Sequence, residues 1–431
     1  MATPQIGAES TTCLVAGGGP AGVMLGLLLA RAGVDVTVME KHADFLRDFR
    51  GDTVHASTLR LLDELGLAPA FAAVPHRLID GVNLTVQGGT LSLSLAHLPG
   101  DHQHIALVPQ WDFLEMLVTA AATEPSFRLL RSTEVLRPRY EWGRCAGVHY
   151  RDADGREREI RAQLTVACDG RTSTLRAAVL PGKGLRLRTF GAPMDVWWFR
   201  LPRRDGDPRG LNGVFVSGQG AAVIDRGDYF QIAYLIKKGS DAAMRAEGID
   251  LLRSRIAALV PWLADRVDLL ESFEDVKLLD VQLNRLRKWY TDGLLFLGDA
   301  AHAMSPVGGV GINLAVADAV AAARILAGPL RSGTLGNRHL ATVQVRRWLP
   351  AALVQRVQRL VHDRIIAAAI DPAGGRAQPP AALRIARRFP VLLRVAAYGV
   401  AIGPLPEHAP AFARRPPHAV PQVDGDRDGN R

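Results

Sequence analysis

The sequence predicts an α/β protein. Its centre is a Rossmann-like parallel sheet built from separated segments, with a mostly antiparallel β-sheet inserted between them and helices toward the C-terminus. Three observations lead there. A strand, glycine turn, helix and strand open the chain, buried-strand patterns return around Val166 and Leu294, and a period of two in apolar residues fills the stretches between. The chain has 431 residues, 48% hydrophobic and 22% charged, which is ordinary globular usage and excludes a disordered or fibrous protein.

Cys13-Leu14-Val15-Ala16 is the first buried strand, Ala21 to Ala32 an almost wholly apolar helix stopped by Gly33, and Val34 to Val38 the second strand. Val82, Leu84 and Val86 then alternate with polar residues, turn at Gly88-Gly89, and alternate back through Leu91, Leu93 and Leu95, a hairpin. A second hairpin runs from Gly147 through Asp154-Gly155 to Val166, and a β-rich block covers Val196 to Ile236. Leu294-Leu295-Phe296-Leu297 returns to the buried-strand pattern, followed by a glycine turn and an alanine-rich helix reaching Ala327. From His339 to Val400 the pattern is helical, with breaks expected at Pro350, Pro372 and Pro379-Pro380. These patterns divide the chain into a discontinuous nucleotide-binding domain (1–78, 105–185 and 290–337), a substrate-side β-domain (79–104 and 186–289), a helical region (338–404) and a flexible tail (405–431).

Fifty-two Lys and Arg against 43 Asp and Glu give a net charge of +9. The basic residues are scattered and no helix-turn-helix, zinc-finger or RNP pattern accompanies them, so no nucleic-acid partner is expected. Three well-separated cysteines argue against a disulfide framework. Neither a secretory signal nor a membrane-spanning run is visible, since Val391 to Leu405 is interrupted by Arg394. A soluble cytoplasmic protein is the expectation.

Three motifs carry chemistry. Gly17-Gly18-Gly19-Pro20-Ala21-Gly22 is a GxGxxG lying directly between strand and helix. Gly17 permits the tight turn, Gly19 lets a pyrophosphate approach the backbone, and Gly22 allows close helix–strand packing. Glu40 closes the second strand, where its carboxylate can accept from a ribose. Asp169-Gly170 ends a second strand, with Arg176 beyond it as a candidate phosphate contact. Gly298-Asp299 ends a third and runs through Pro306, Gly308 and Gly309 into a helix beginning Gly311-Ile312-Asn313, whose N-terminus favours negative charge. His102 and His104 have metal-compatible spacing, but no third ligand accompanies them and no metal is expected.

With the three motifs in this order, the chain resembles the group A FAD-dependent aromatic monooxygenases, the single-component family typified by para-hydroxybenzoate hydroxylase. The layout matches from Thr11 to His362, without the long thioredoxin-like C-terminal extension of some relatives. The Trp-x-Trp-x-Ile-Pro string of flavin-dependent tryptophan halogenases is also missing, since Trp197-Trp198 continues as Phe199-Arg200. The resemblance implies a GR2-type FAD-binding domain and non-covalent FAD. Gly17, Gly19, Pro20, Ala21 and Gly22 would bind its pyrophosphate, Glu40 and Lys41 its adenosine end, and Arg50 its phosphates. Gln110 would lie beside the flavin, Asp169 would serve both FAD and the reductant, and Gly298-Asp299 would hold the ribityl or pyrophosphate part. Gly311, Ile312 and Asn313 would face the pyrimidine edge, and Pro306, Gly308 and Gly309 would line the oxygen-reacting side, with no side-chain nucleophile.

The implied reaction is reduction of FAD by NADPH or NADH, then insertion of one oxygen atom from O2 into an aromatic, phenolic or polyketide-like molecule through a flavin C4a-hydroperoxide. A non-oxygenating FAD-dependent dehydrogenase or reductase of a biosynthetic pathway keeps the same motifs and stays open, as does a flavin-binding regulatory protein. His104, Trp197, Phe199, Gln219, Phe230, Gln231 and Tyr234 are the candidate substrate contacts. Substrate identity, the choice of nicotinamide, and monomer against homodimer are left open.

Overall fold

The structure is a computed structural model of the chain and describes residues 9–46, 53–86, 89–182, 184–216, 218–370 and 390–416. Its principal elements, in chain order, are β1 (Glu9–Ala16), α1 (Pro20–Arg31), β2 (Val36–Met39), α2 (Ala56–Glu64), β3 (Gly81–Val86), β4 (Gly89–Ser94), α3 (Gln110–Ala122), β5 (Phe127–Leu130) and β6 (Glu157–Ala167). They continue with β7 (Met194–Pro202), β8 (Leu211–Val216), β9 (Gln219–Asp225), β10 (Tyr229–Lys237), α4 (Ile249–Leu259), β11 (Lys277–Leu279), β12 (Leu294–Phe296), α5 (Gly311–Arg331), α6 (Asn337–Val361) and α7 (Pro390–Ala401).

The first sheet has the parallel order β12-β6-β1-β2-β5. Its register pairs Val15 with Val166 and with Val38, and Val166 with Leu295. Because these strands run the same way, Ala16, Ala167 and Phe296 end together at one edge, and the three motif turns leave from there. Alternate side chains bury on opposite faces. Cys13, Val15, Val38, Leu164 and Leu295 pack under α1, α3 and α5, while Leu14, Ala16, Ala167 and Phe296 pack with Leu175 and Trp289.

The second sheet has the order β11-β7-β10-β9-β8-β3-β4. All its pairs are antiparallel except β8 with β3. One face carries Trp197, Phe199, Phe230, Ile232 and Tyr234 and is buried under Leu252, Ile256 and Leu259 of α4. The opposite face carries Met194, Val196, Trp198, Ala233 and Leu235 and meets Val307, Val361, Ile366 and Ile370.

Two sequence expectations are corrected. Pro350 does not break the helix, because α6 runs on to Val361. The proline penalty of about 3 kcal/mol is outweighed by anchors on both sides of it, Arg347 on Asp318 and Gln355 and Gln358 on neighbouring main chain. Nor is the first part of the expected tail loose. Glu407 is buried with both oxygens on Arg346, and Ala411–Ala413 forms a helical turn packed in the main core. The expected breaks at Pro372 and Pro379-Pro380, and residues 417–431, lie outside the described residues. Among the described residues α5 alone is long and apolar enough to cross a membrane, and it is a core helix with most of its surface buried.

α7 is held partly by His55, the fully buried residue before α2, whose Nδ1 lies 2.7 Å from the Val400 carbonyl. Burial pushes the His55 pKa down to about 4. An unfolded histidine takes its proton near pH 6.5, so between these values the unfolded chain binds more protons than the native one. The contribution is intact above pH 6.5 and is lost as pH falls toward 4. Urea unfolding at pH 7 and pH 4.5 is expected to show a loss at the lower pH that His55→Gln makes smaller, by up to about 3 kcal/mol. Equal losses in both proteins would contradict it.

Candidate active site

Each motif turn is shaped by a steric requirement. Gly17 has φ +104°, and a Cβ there would lie 2.4 Å from the Cys168 carbonyl oxygen at the end of β6. A Cβ on Gly22 would come within 2.0 Å of the Gly17 oxygen. The first turn is thus wedged between a strand end and its own helix, and both positions require glycine. Gly19 is different. It has an ordinary φ of −74°, and nothing lies within 4 Å of where its Cβ would be. Pro20 is the first residue of α1, so the open space faces free helix N-terminal amides. Beside it, Glu40 accepts from the Gly18 amide at 3.0 Å and the His42 amide at 3.1 Å. Lys41 is exposed, and Arg50 lies outside the described residues.

At the second turn, Asp169 Oδ2 accepts from the Leu175 amide at 3.1 Å, while Oδ1 is buried with no partner. Burial raises this carboxyl above the usual range, against hydrogen bonds that lower it. Arg176 does not face a ligand, contrary to expectation. It is buried and donates to the carbonyls of Asp299 and Ala300 at 3.1 and 2.9 Å and to that of Arg171, stapling the second turn to the third.

The third turn touches the first. A Cβ on Gly298, where φ is +55°, would lie 3.3 Å from Ala21 Cβ and 3.4 Å from Ala315 Cβ. Its amide donates to Asp318 Oδ2 at 3.1 Å. Asp318 is fully buried on α5 and also binds His302 Nε2 at 2.6 Å and Arg347 Nε at 2.9 Å. Burial acts to raise its pKa, but His302 and Arg347 hold it below the usual carboxylate range. His302, buried against Trp289, therefore has a structural place. Asp299 keeps its carboxylate part-exposed, 3.7 Å from Arg171.

Beyond Pro306, Gly308 and Gly309 have φ of +82° and +62°, and Thr53 Oγ1 donates to the Gly309 carbonyl at 2.7 Å. The Asn313 side chain is fully used inside the protein. Its oxygen accepts from the His55 amide and the Thr58 hydroxyl, and its amide donates to the Thr53 carbonyl. Only its backbone N–H, with those of Gly311 and Ile312, is left at the start of α5. Gln110 opens α3, partly buried.

Sequence reasoning missed the clamp on this loop. Gln358 accepts from the Ser305 amide at 3.2 Å and donates to the Ser305 and Val307 carbonyls at 2.9 Å each. His362 Nε2, at the start of a π-helical turn, lies 2.8 Å from Ser305 Oγ. The signal was present as Gln355, Gln358 and His362 at helical spacing, polar residues on the face that turned out to be buried.

Most candidate substrate contacts are corrected. Trp197, Phe199, Phe230 and Tyr234 point under α4, and Gln219 accepts from the Tyr234 hydroxyl on that same side. Gln231 is on the opposite face, but its amide oxygen accepts from Arg226. His104 stands edge-on to His102, which bonds Asp63. The error is one of strand parity: the neighbour Trp198 lies on the opposite face, in the cluster that includes Val307. Among the described residues no group of three or more His, Cys, Asp or Glu could hold a metal.

A family described as FAD binding domain matches residues 10–357. The chain belongs to this family. A 6-methylpretetramide 4-monooxygenase of Streptomyces rimosus is 35% identical over 404 residues, 92% of this chain and 94% of that protein. A dialkyldecalin synthase of Streptomyces rugosporus is 27% identical over 398 residues, 88% of this chain and 74% of that one. Among solved structures, P. aeruginosa PqsL in complex with 2-aminobenzoylacetate has TM-score 0.72, covering 85% of this chain and 99% of its own at 19% identity, a likeness of fold. The resemblance to FAD-dependent aromatic monooxygenases thus holds for the family and for the fold.

The residues present fit the family's FAD. The open space at Gly19 and the partnerless Asp169 oxygen lie on turns that touch, since Gly17 abuts Cys168 and Asp169. A matched pair of variants tests this. Gly17→Ala is expected to lower the melting temperature and abolish FAD uptake, because the turn itself cannot form. Gly19→Ala is expected to leave melting of the FAD-free protein unchanged and weaken FAD about tenfold or more, since a charge-assisted hydrogen bond is worth ~1.5–3 kcal/mol. Melting curves and absorbance titration with FAD read both effects. Full FAD affinity in Gly19→Ala would rule out this turn as the pyrophosphate site.

Proposed function

We propose that this FAD binding domain protein is an NAD(P)H-consuming monooxygenase that inserts one oxygen atom of O2 into a planar aromatic or polyketide-like small molecule. The observation that carries the reading is the convergence of three strand-end turns on one space, with an unmet carboxylate oxygen and two helix N-termini around it. Bound FAD supplies hydride acceptance from NADPH or NADH and the activation of O2.

The chain's own residues bind and orient. The turn Gly17 to Gly22 and the α1 N-terminus receive the pyrophosphate, with Arg50 as a further phosphate contact. Glu40, which closes β2 and accepts from the Gly18 and His42 amides beside the first turn, accepts from the adenosine ribose. Asp169 Oδ1 accepts a sugar or ribityl hydroxyl, and Asp299 holds the ribityl or pyrophosphate part. Gln110 lies beside the ring, and the amides of Gly311, Ile312 and Asn313 stabilise negative charge at its pyrimidine edge. Pro306, Gly308 and Gly309 form the wall where oxygen reacts, held in place by Gln358 and His362. Water exclusion comes from the apolar residues around Val307. The polyketide part of the reading is supported by the similarity to the 6-methylpretetramide 4-monooxygenase.

The dialkyldecalin synthase relative, whose name specifies no oxygen insertion, supports testing the non-oxygenating alternative alongside. The purified protein is expected to hold FAD with visible absorbance and to oxidise NADPH or NADH faster when a polycyclic phenol is present. Oxygen from labelled O2 should appear in the product by mass spectrometry. Reductant oxidation with an unlabelled product would establish the alternative. A second expectation concerns the clamp. Gln358→Leu, which keeps the bulk but loses three hydrogen bonds to the loop, should divert more reductant to hydrogen peroxide per product formed. An unchanged peroxide fraction would remove the clamp from the mechanism.

A further inference from the structure

The two faces of the second sheet are finished differently. Beneath α4, Trp197, Phe199, Phe230 and Tyr234 are all buried. On the opposite face, Trp198, Phe215, Ala222 and Leu235 keep part of their surface open, although they form one apolar cluster with Val307 of the loop after Pro306 and with Val361, Ile366 and Ile370. That face is also shallow. A Cβ on Gly220 would lie 2.9 Å from the Phe215 ring, and one on Gly213 would lie 3.2 Å from it, so two glycines let the ring lie flat along the strands.

One polar atom stands out in this apolar wall. Trp198 Nε1 is buried and has no hydrogen-bond partner, whereas Nε1 of the adjacent Trp197 donates to Asp241 on the other side of the sheet at 2.6 Å. An indole N–H can only donate, and a buried donor without an acceptor is rare and costly in a native protein. β7 places it between Ala233 and Lys277 in register, on the face that meets the loop.

We propose that Trp198 is a specificity-determining residue. Its indole N–H receives a carbonyl or phenolate oxygen of a planar, multi-ring aromatic substrate whose rings lie along the shallow face over Phe215 and Ala222. The assignment deepens the monooxygenase reading and rests on it, because the Val307 loop is what joins this face to the flavin site. An acceptor-bearing ring system completes the unmet hydrogen bond, and a hydrocarbon of the same shape leaves it unmet. Trp198 thereby favours oxygenated polycyclic compounds over hydrocarbons that pack equally well.

The test compares 1,8-dihydroxyanthraquinone with anthracene as probes, binding to FAD-loaded protein. Affinity is read from probe fluorescence and from perturbation of the flavin spectrum, for wild type, Trp198→Phe and Trp197→Phe. Trp198→Phe keeps an aromatic body and removes the donor. It is expected to weaken the hydroxyanthraquinone about 5- to 150-fold, the range for one buried group left unpaired, and to leave anthracene unchanged. Trp197→Phe, on the α4 side, should change neither. The assignment is overturned by equal losses for both probes in Trp198→Phe, by no loss, or by an FAD-loaded wild type that binds neither probe. A wild type that takes up no FAD overturns the flavin reading itself, and that outcome is visible in the same absorbance spectrum before any probe is added.

Discussion

A single buried carboxylate holds the site together. Asp318, on the central helix α5, has no solvent contact and receives the Gly298 amide, the His302 ring and the Arg347 guanidinium. Through these bonds it fixes the third motif turn to α5 and fixes α6 to both. Arg347 also lies 3.6 Å from Glu407, which carries the tie out to the segment near the chain's end. Removing one partner of such a buried pair strands the other charge at a cost of about 3–5 kcal/mol, so the arrangement acts as a unit.

From that anchor the loop geometry follows. α6 is pinned by Arg347, and this places Gln358 and His362 further along the same buried side, where they grip Ser305 and Val307. The same loop continues into two left-handed glycines and the first-turn amides that begin α5. Position of the proposed oxygen-reacting wall is therefore set by a helix outside the nucleotide-binding sheet. Flavin binding and loop placement belong to different parts of the chain, coupled through α5 and α6. The second sheet closes the arrangement by bringing one shallow apolar face against Val307.

Much of this was legible in the residues. The GxGxxG turn, the Asp169 and Gly298-Asp299 strand ends, and the hairpins from Val82 and Gly147 all appear where the patterns place them. Local steric and periodic requirements write such features directly, as at Gly17, where only glycine fits. Other features were not legible. Arg176 reads as a phosphate contact until the third turn is seen beside it. Pro350 reads as a break until the anchors flanking it are known, and residues 405–416 read as tail although Glu407 is buried. Each of these depends on a partner far away in sequence.

The sequence by itself determined the fold class, the order of the motifs and the chemistry each motif can support, because turns and periodicities are properties of neighbouring residues. Tertiary structure decided which side of a strand meets the site. Trp197 and Trp198 are adjacent and chemically identical, and a one-residue change of parity sends one under α4 and the other toward the Val307 loop. No local rule distinguishes them, since both faces of that sheet are apolar and only the layers packed above and below give the two directions different meanings.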